Sequence, residues 1–227
     1  MEIMANKKRG MQGNNLKLVD IEPLTDNQDR AFSSNKHLVL SGVAGTGKTF
    51  ISLYLALKEI QDGEKESIVI VRSAVPTRDI GFLPGNESDK CAVYEEPYKD
   101  ICTELFDRGD AYELLKLKRI ITFMPTSFIR GTTRNDTVLI IDECQNMTLH
   151  ELDSVITRVG EGCRVIFCGD FAQADLKDNG LKPFLKILER MKDFDNIEYG
   201  VEDIVRSQFV KNYILTKLEI ENESRIK

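Results

Sequence analysis

The stretch HLVLSGVAGTGKTF, His37 to Phe50, decides the fold. Its first half is a continuous apolar run, the pattern of a strand buried on both faces. Its second half fits G-x-x-x-x-G-K-[ST] at every fixed position, namely Gly42, Gly47, Lys48 and Thr49. Glycines let backbone N–H groups wrap a phosphate with no Cβ in the way. Helical periodicity begins directly afterwards, so a helix N-terminus adds its partial positive charge at the same place. A plain glycine turn would need neither the lysine nor the helix. Gly42, Val43, Ala44, Gly45, Thr46, Gly47, Lys48 and Thr49 are therefore the candidate cradle for the phosphates of ATP. Lys48 would bridge the β- and γ-phosphates, and the Thr49 hydroxyl would hold Mg2+.

Outward from that stretch, short β-branched runs alternate with longer helical patterns, which predicts an α/β fold. The sheet should be mostly parallel, with helices on both faces. Strands are read at His37–Ser41, Ser67–Arg72, Arg119–Phe123, Thr137–Asp142 and Cys163–Gly169, with a weaker sixth near Ile197–Tyr199. The first helix after the phosphate loop runs from about Lys48 to Gln61 and stops near Gly63. Thr148-x-x-Glu151 reads as a capping box, Pro183 suits a helix's first turn, and Ser207 could cap a final helix. Three parts are expected: a flexible tail over 1–20, a domain over 21–220, and a solvated end over 221–227.

The strand Val138–Ile141 ends in Asp142-Glu143. Two acids at the edge of a core repel each other, which makes sense if Asp142 faces Mg2+ and Glu143 polarises an attacking water. No N-K-x-D guanine signature occurs, so the nucleotide is read as ATP; small-molecule P-loop kinases usually lack a glutamate beside the aspartate, so Glu143 reads the reaction as hydrolysis. A third strand ends in Cys168-Gly169-Asp170-Phe-Ala-Gln173, where Gln173 is a candidate γ-phosphate sensor; a turn with a helix cap would look similar.

Composition bounds the rest. With 227 residues, the chain suits one well-buried domain. A net charge of −6 means the whole field does not attract a polyanion, so nucleic-acid binding needs a local basic lining or several subunits pooling one. No apolar run is long enough for a membrane span, and nothing apolar follows Lys7-Lys8-Arg9, so a cytoplasmic location is expected. The five cysteines form no C-x-x-C pair and only two histidines exist, which argues against structural zinc and for thiols in a reducing compartment. The segment 73–90, SAVPTRDIGFLPGNESDK, has no periodicity and reads as a working loop.

Taken together, Gln28, GVAGTGKT, Gly81-Phe-Leu-Pro-Gly85, Asp142-Glu-Cys-Gln-Asn146, Gly169-Asp170-x-x-Gln173 and Val205-Arg206-Ser207 resemble the PhoH-like family. The resemblance runs from about Pro23 to Arg206. It implies a single RecA-like domain akin to the first motor domain of superfamily 1 helicases. In that arrangement the Cys163–Gly169 strand lies between the phosphate-loop strand and the Asp142 strand. It also implies that Gln28 reads the adenine edge, and Asp175 matches the family pattern. Departures are Ser73 where proline often follows the arginine, Cys144 where alanine is usual, and Arg130-Gly-Thr-Thr133 in place of R-G-R-T, with Arg134 close enough to substitute. Some relatives carry a PIN nuclease domain, and the stretch ahead of Pro23 is too short to build one.

Helicases of this kind complete the ATP site with an arginine from a second domain. A lone domain is therefore expected to form a homo-oligomeric ring, a hexamer being favoured, in which a neighbour supplies that finger. Arg206 is the first candidate, followed by Arg130, Arg134 and Arg158. A ring would also multiply Arg78 and Lys90 around a channel, where Phe82 could stack on the bases of single-stranded RNA or DNA. The GFLPG stretch could equally pack against a neighbouring subunit. An assembly switch acting on a protein partner is the alternative to nucleic-acid work.

Overall fold

A computed structural model of the chain describes residues 16–73, 87–129, 133–171 and 181–226. Its centre is a six-stranded sheet in which every pairing is parallel. The strands are β1 (His37–Gly42), β2 (Ser67–Arg72), β3 (Ile121–Pro125), β4 (Thr137–Asp142), β5 (Arg164–Gly169) and β6 (Phe194–Tyr199), arranged β3-β2-β4-β5-β1-β6. The helices are α1 (Asp26–Ser33), α2 (Lys48–Gln61), α3 (Glu87–Phe106), α4 (Ala111–Leu117), α5 (Leu149–Ile156), α6 (Leu181–Met191) and α7 (Gln208–Ile226).

Unbroken apolar strands are needed because both faces are covered. Leu38 and Leu40 of β1, Ile68 and Ile70 of β2, and Val138 and Ile140 of β4 face one core, with α1, α2, α3 and α4 packed on it. Their neighbours Val39, Val69, Val71, Leu139 and Ile141 face the other, against α5 and α6. Side chains alternate faces along a strand, so each needs apolar residues at successive positions.

Topology puts β5 between β4 and β1, as the family resemblance implies. From β1 the chain crosses to one side toward β2, and from β5 it crosses past β1 to β6 on the other; open α/β sheets hold ligands at the carboxyl ends of the strands where the crossover direction changes in this way. Gly42, Asp142 and Gly169 all end strands on that edge.

Several boundaries differ from the sequence reading. The third strand starts at Ile121 rather than Arg119, because Arg119 adopts a left-handed conformation (φ 58°) that closes α4. There the Ile120 amide donates to the Leu115 carbonyl, so these residues serve the helix end. Helix α3 begins at Glu87, inside the segment read as loop to Lys90. The tail read as flexible to residue 20 is already packed at Leu16 and Leu18, both buried, and the Val19 amide donates to the Leu105 carbonyl at 2.9 Å. At the other end α7 continues to Ile226, past the point read as a solvated end. The Thr148–Glu151 capping box is present as read. No described helix is long and apolar enough to cross a membrane.

Candidate nucleotide-binding site

The phosphate loop leaves β1 at Gly42, whose φ of 120° suits glycine alone. A Cβ there would stand 2.0 Å from the Tyr199 carbonyl oxygen of β6, so the loop can turn only because that position is bare. Gly47 (φ 84°) is the residue before α2, whose first residue is Lys48. Lys48 Nζ reaches back across the loop and donates to the carbonyls of Gly42 and Val43, both at 2.8 Å. Burial pushes the Lys48 ammonium below its ordinary range, opposed by the nearby acids Asp170, Glu143 and Asp142. A partly desolvated cation over a hollow rimmed by amides is what a polyphosphate requires.

Asp142, at the end of β4, is buried and has both carboxylate oxygens engaged. Oδ1 accepts from the Thr49 hydroxyl at 3.1 Å, and Oδ2 accepts from the Tyr98 hydroxyl of α3 at 2.7 Å. Burial raises the Asp142 pKa, while Tyr98, Arg72 and Thr49 act in the opposite direction. Thr49 and Asp142 thus present two hard oxygens side by side. Mg2+ is held by one or two such protein ligands, with phosphates and water filling its shell, and the pair fits that ion. Among the described residues no cluster of three or more His, Cys, Asp or Glu could hold a metal.

Glu143 follows in a left-handed conformation, φ 52° and ψ 38°. For a residue with a Cβ this conformation costs about 1–2 kcal/mol, and it aims the side chain off the strand axis. Gln145 holds it there. Its Nε2 donates to Glu143 Oε2 at 2.6 Å, and its Oε1 accepts from the Asp170 amide at 3.1 Å. One buried amide side chain thereby ties the acid after β4 to the first residue after β5. Gly169 leaves room for this bridge, since a Cβ there would lie 2.7 Å from Gln145 Oε1 and 2.8 Å from Cys144 Sγ. The bridging role of Gln145 is not legible in the sequence, which places it in a motif but gives it no partner.

Gln28 lies on α1, behind Thr25, which caps the helix. Its Oε1 accepts from the Leu24 amide at 2.8 Å and its Nε2 approaches the Thr46 carbonyl at 3.4 Å, so it touches the phosphate loop. Buried Asp203 joins α1 to the turn after β6, accepting from Asn27 Nδ2 and the Gly200 amide, each at 2.8 Å. From that turn the Val205 amide donates to the Gly45 carbonyl at 3.1 Å.

Arg206 comes next. The sequence reading offers it to a neighbouring subunit; in the fold its stem lies against Gly45 of its own loop, with Cγ 3.1 Å from where a Cβ would stand. Arg134 and Arg158 lie elsewhere, joined by the Arg134 amide donating to the Arg158 carbonyl at 3.0 Å. Arg134 precedes β4, at the opposite end of that strand from Asp142. The GFLPG stretch with Phe82, Arg78, Arg130, Gln173 and Asp175 fall outside the described residues, as does the Lys90 side chain. His37 is structural, its Nδ1 accepting from the Val165 amide at 3.1 Å, and His150 is exposed. Cys102, Cys144 and Cys168 are buried free thiols.

The profile of the family described as "PhoH-like protein" matches residues 20–217. This chain belongs to that family. A PhoH-like protein of Mycobacterium tuberculosis (strain H37Rv) is 34% identical over 203 residues, covering 86% of this chain and 57% of the relative. Protein PhoH of Escherichia coli is 31% identical over 183 residues, 78% of this chain and 52% of that one. The PhoH-like chain therefore spans little more than half the length of these relatives. Among solved structures, the large terminase of a thermophilic bacteriophage, in complex with ADP, superposes with a TM-score of 0.54 at 12% identity, over 84% of this chain and 49% of the terminase. At that identity the likeness is one of fold, the P-loop α/β sheet with its strand-end crevice.

Proposed function

We propose that this PhoH-like chain binds Mg-ATP and hydrolyses it, and that several copies act as a ring on single-stranded RNA or DNA. The observation that carries the hydrolytic reading is the arrangement at the ends of β1 and β4. Lys48 stands over the loop, Thr49 touches Asp142, and Glu143 is held off the strand axis by Gln145. In this reading Lys48 and the loop amides bind the β- and γ-phosphates. Thr49 and Asp142 would hold the Mg2+ that accompanies the nucleotide, and the ion would supply charge neutralisation for the phosphates. Glu143 orients a water and accepts its proton as the water oxygen bonds to the γ-phosphorus and the bond to the β-phosphate oxygen breaks. ADP leaves with phosphate as the second product. Gln28, seated between Leu24 and Thr46, reads the adenine edge. Arg206, whose stem lies beside Gly45, is the first candidate for the finger that completes a neighbour's site, with Arg134 and Arg158 behind it.

Phosphate release tests both parts. Wild-type protein should turn over ATP with Mg2+, and Glu143→Gln should bind ATP yet lose about 10²–10⁴ in rate. Near-normal turnover in that variant would remove Glu143 from its role. Single-stranded RNA or DNA at low salt should raise turnover, with a steep loss as salt is added. An unchanged rate and no binding would favour the second reading, an ATP-dependent assembly switch with a protein partner. One feature favours that reading. Phe209 and Tyr213 expose large apolar side chains on α7, whose Ile214 lies against the phosphate loop at Gly45.

A further inference from the structure

We propose that Tyr98 is a positioning residue for the metal–nucleotide complex: its hydroxyl occupies Asp142 Oδ2, beside the register neighbour Arg72, and keeps the carboxylate turned so that Oδ1 faces Thr49. The inference rests on the Mg-ATP reading above.

Parallel pairing of β2 with β4 sets Arg72 directly beside Asp142 in register. An arginine next to a carboxylate ordinarily closes a bidentate pair that occupies both oxygens. Such a pair would take Asp142 away from Thr49 and leave no oxygen for a cation. The structure avoids it. Tyr98 donates to Asp142 Oδ2 at 2.7 Å, so that oxygen is already taken by a neutral hydroxyl. Arg72 is occupied over the Tyr94 ring, 5.7 Å from its centroid. With Oδ2 held by the hydroxyl, Oδ1 stays with Thr49 at 3.1 Å.

The mount is rigid. Tyr98 is 1% exposed, and its ring is tilted on Phe123 of β3 at 5.9 Å. Tyr112 on α4 provides a contrast within the same core. Its hydroxyl donates to Glu95 at 2.7 Å, and Lys116 completes a closed pair with that acid. There a buried tyrosine satisfies a structural carboxylate that already has its cation. At Asp142 the cation is the register neighbour Arg72, which lies over the Tyr94 ring, and the tyrosine hydroxyl takes the oxygen. Partners that orient metal ligands in this manner are worth about 10- to 100-fold in metal affinity.

The test measures binding of a fluorescent ADP analogue as free Mg2+ is varied, and Mn2+ binding to the ADP complex by electron paramagnetic resonance. Tyr98→Phe removes the hydroxyl and keeps the ring. The metal midpoint should rise about tenfold or more, while ADP affinity in EDTA stays unchanged. Adding Arg72→Gln should recover part of the loss, because the competing cation is then gone. An unchanged midpoint in Tyr98→Phe, an equal loss in EDTA, or an additive loss in the double variant would overturn the proposal. Should Tyr98→Phe fail to fold, the double variant decides: a midpoint within about threefold of wild type supports the proposal and a rise of about tenfold overturns it. Wild-type protein that binds no ADP at any Mg2+ concentration would instead defeat the Mg-ATP reading itself.

Discussion

Replacing Gln145 with leucine isolates the bridge that aims Glu143. The substitution keeps the side-chain bulk and removes both polar atoms. It cuts the 2.6 Å bond to Glu143 Oε2 and the 3.1 Å bond from the Asp170 amide. A hydrogen bond to an ionised group is worth about 1.5–3 kcal/mol. If that energy holds Glu143 in its working pose, its loss lowers kcat by about 10- to 150-fold, at 1.36 kcal/mol per decade. Without the bridge Glu143 can also relax from φ 52°, which adds to the loss. The Asp170 amide loses its 3.1 Å bond to Gln145, a change worth about 1 kcal/mol of stability. Steady-state phosphate release gives kcat, fluorescent ADP binding gives affinity, and urea unfolding gives stability. Affinity should be nearly unchanged, since Gln145 does not touch the phosphate loop in the described contacts. A folded variant with kcat within about twofold of wild type would refute the assignment, because the bridge would then contribute far less than one charge-assisted bond.

In the ring reading, Arg206→Ala protein mixed with Lys48→Ala protein should recover turnover, since each kind of chain supplies what the other lacks; no recovery would place Arg206 with its own chain's loop, where its stem lies against Gly45. Gly42→Ala should lose most folded protein or unfold at much lower urea, because the new Cβ meets the Tyr199 carbonyl oxygen at 2.0 Å in a left-handed turn. A normal urea midpoint would mean β6 can move aside. Glu151 is raised by burial but lowered further by its bonds from Thr126 and Thr148, so its net pKa falls below the ordinary 4.5. Its folded pKa is depressed, so its stabilisation is present above pH 4.5 and is lost as pH falls through the folded value. Glu151→Ala should therefore cost about 1 kcal/mol at neutral pH and progressively less below pH 4.5, read from unfolding curves at several pH values. A cost that stays constant with pH would contradict the capping role.

Local patterns carry much of this protein in its sequence. The apolar runs at Leu38–Leu40 and Val138–Ile141 identify doubly covered strands, because only a strand with helices on both faces needs an apolar residue at every position. Gly42 to Thr49 and Asp142-Glu143 are equally legible, since their chemistry is held in consecutive residues at strand ends. Helix α3 is harder to see at its start, where Glu87 to Lys90 carry no apolar periodicity. Arg119 reads as strand because a helix-terminating left-handed residue is normally glycine, and an arginine gives no such signal. What no local pattern holds is partnership across the fold. Gln145 meets Asp170, Tyr98 meets Asp142, and Arg206 meets Gly45 because parallel crossovers return distant strand ends to one edge of the sheet. The sequence by itself determined that a phosphate loop and an acid pair exist; the strand order β4-β5-β1 decided which side chains stand between them, since hydrogen bonds and charge act over a few ångströms of space rather than along the chain.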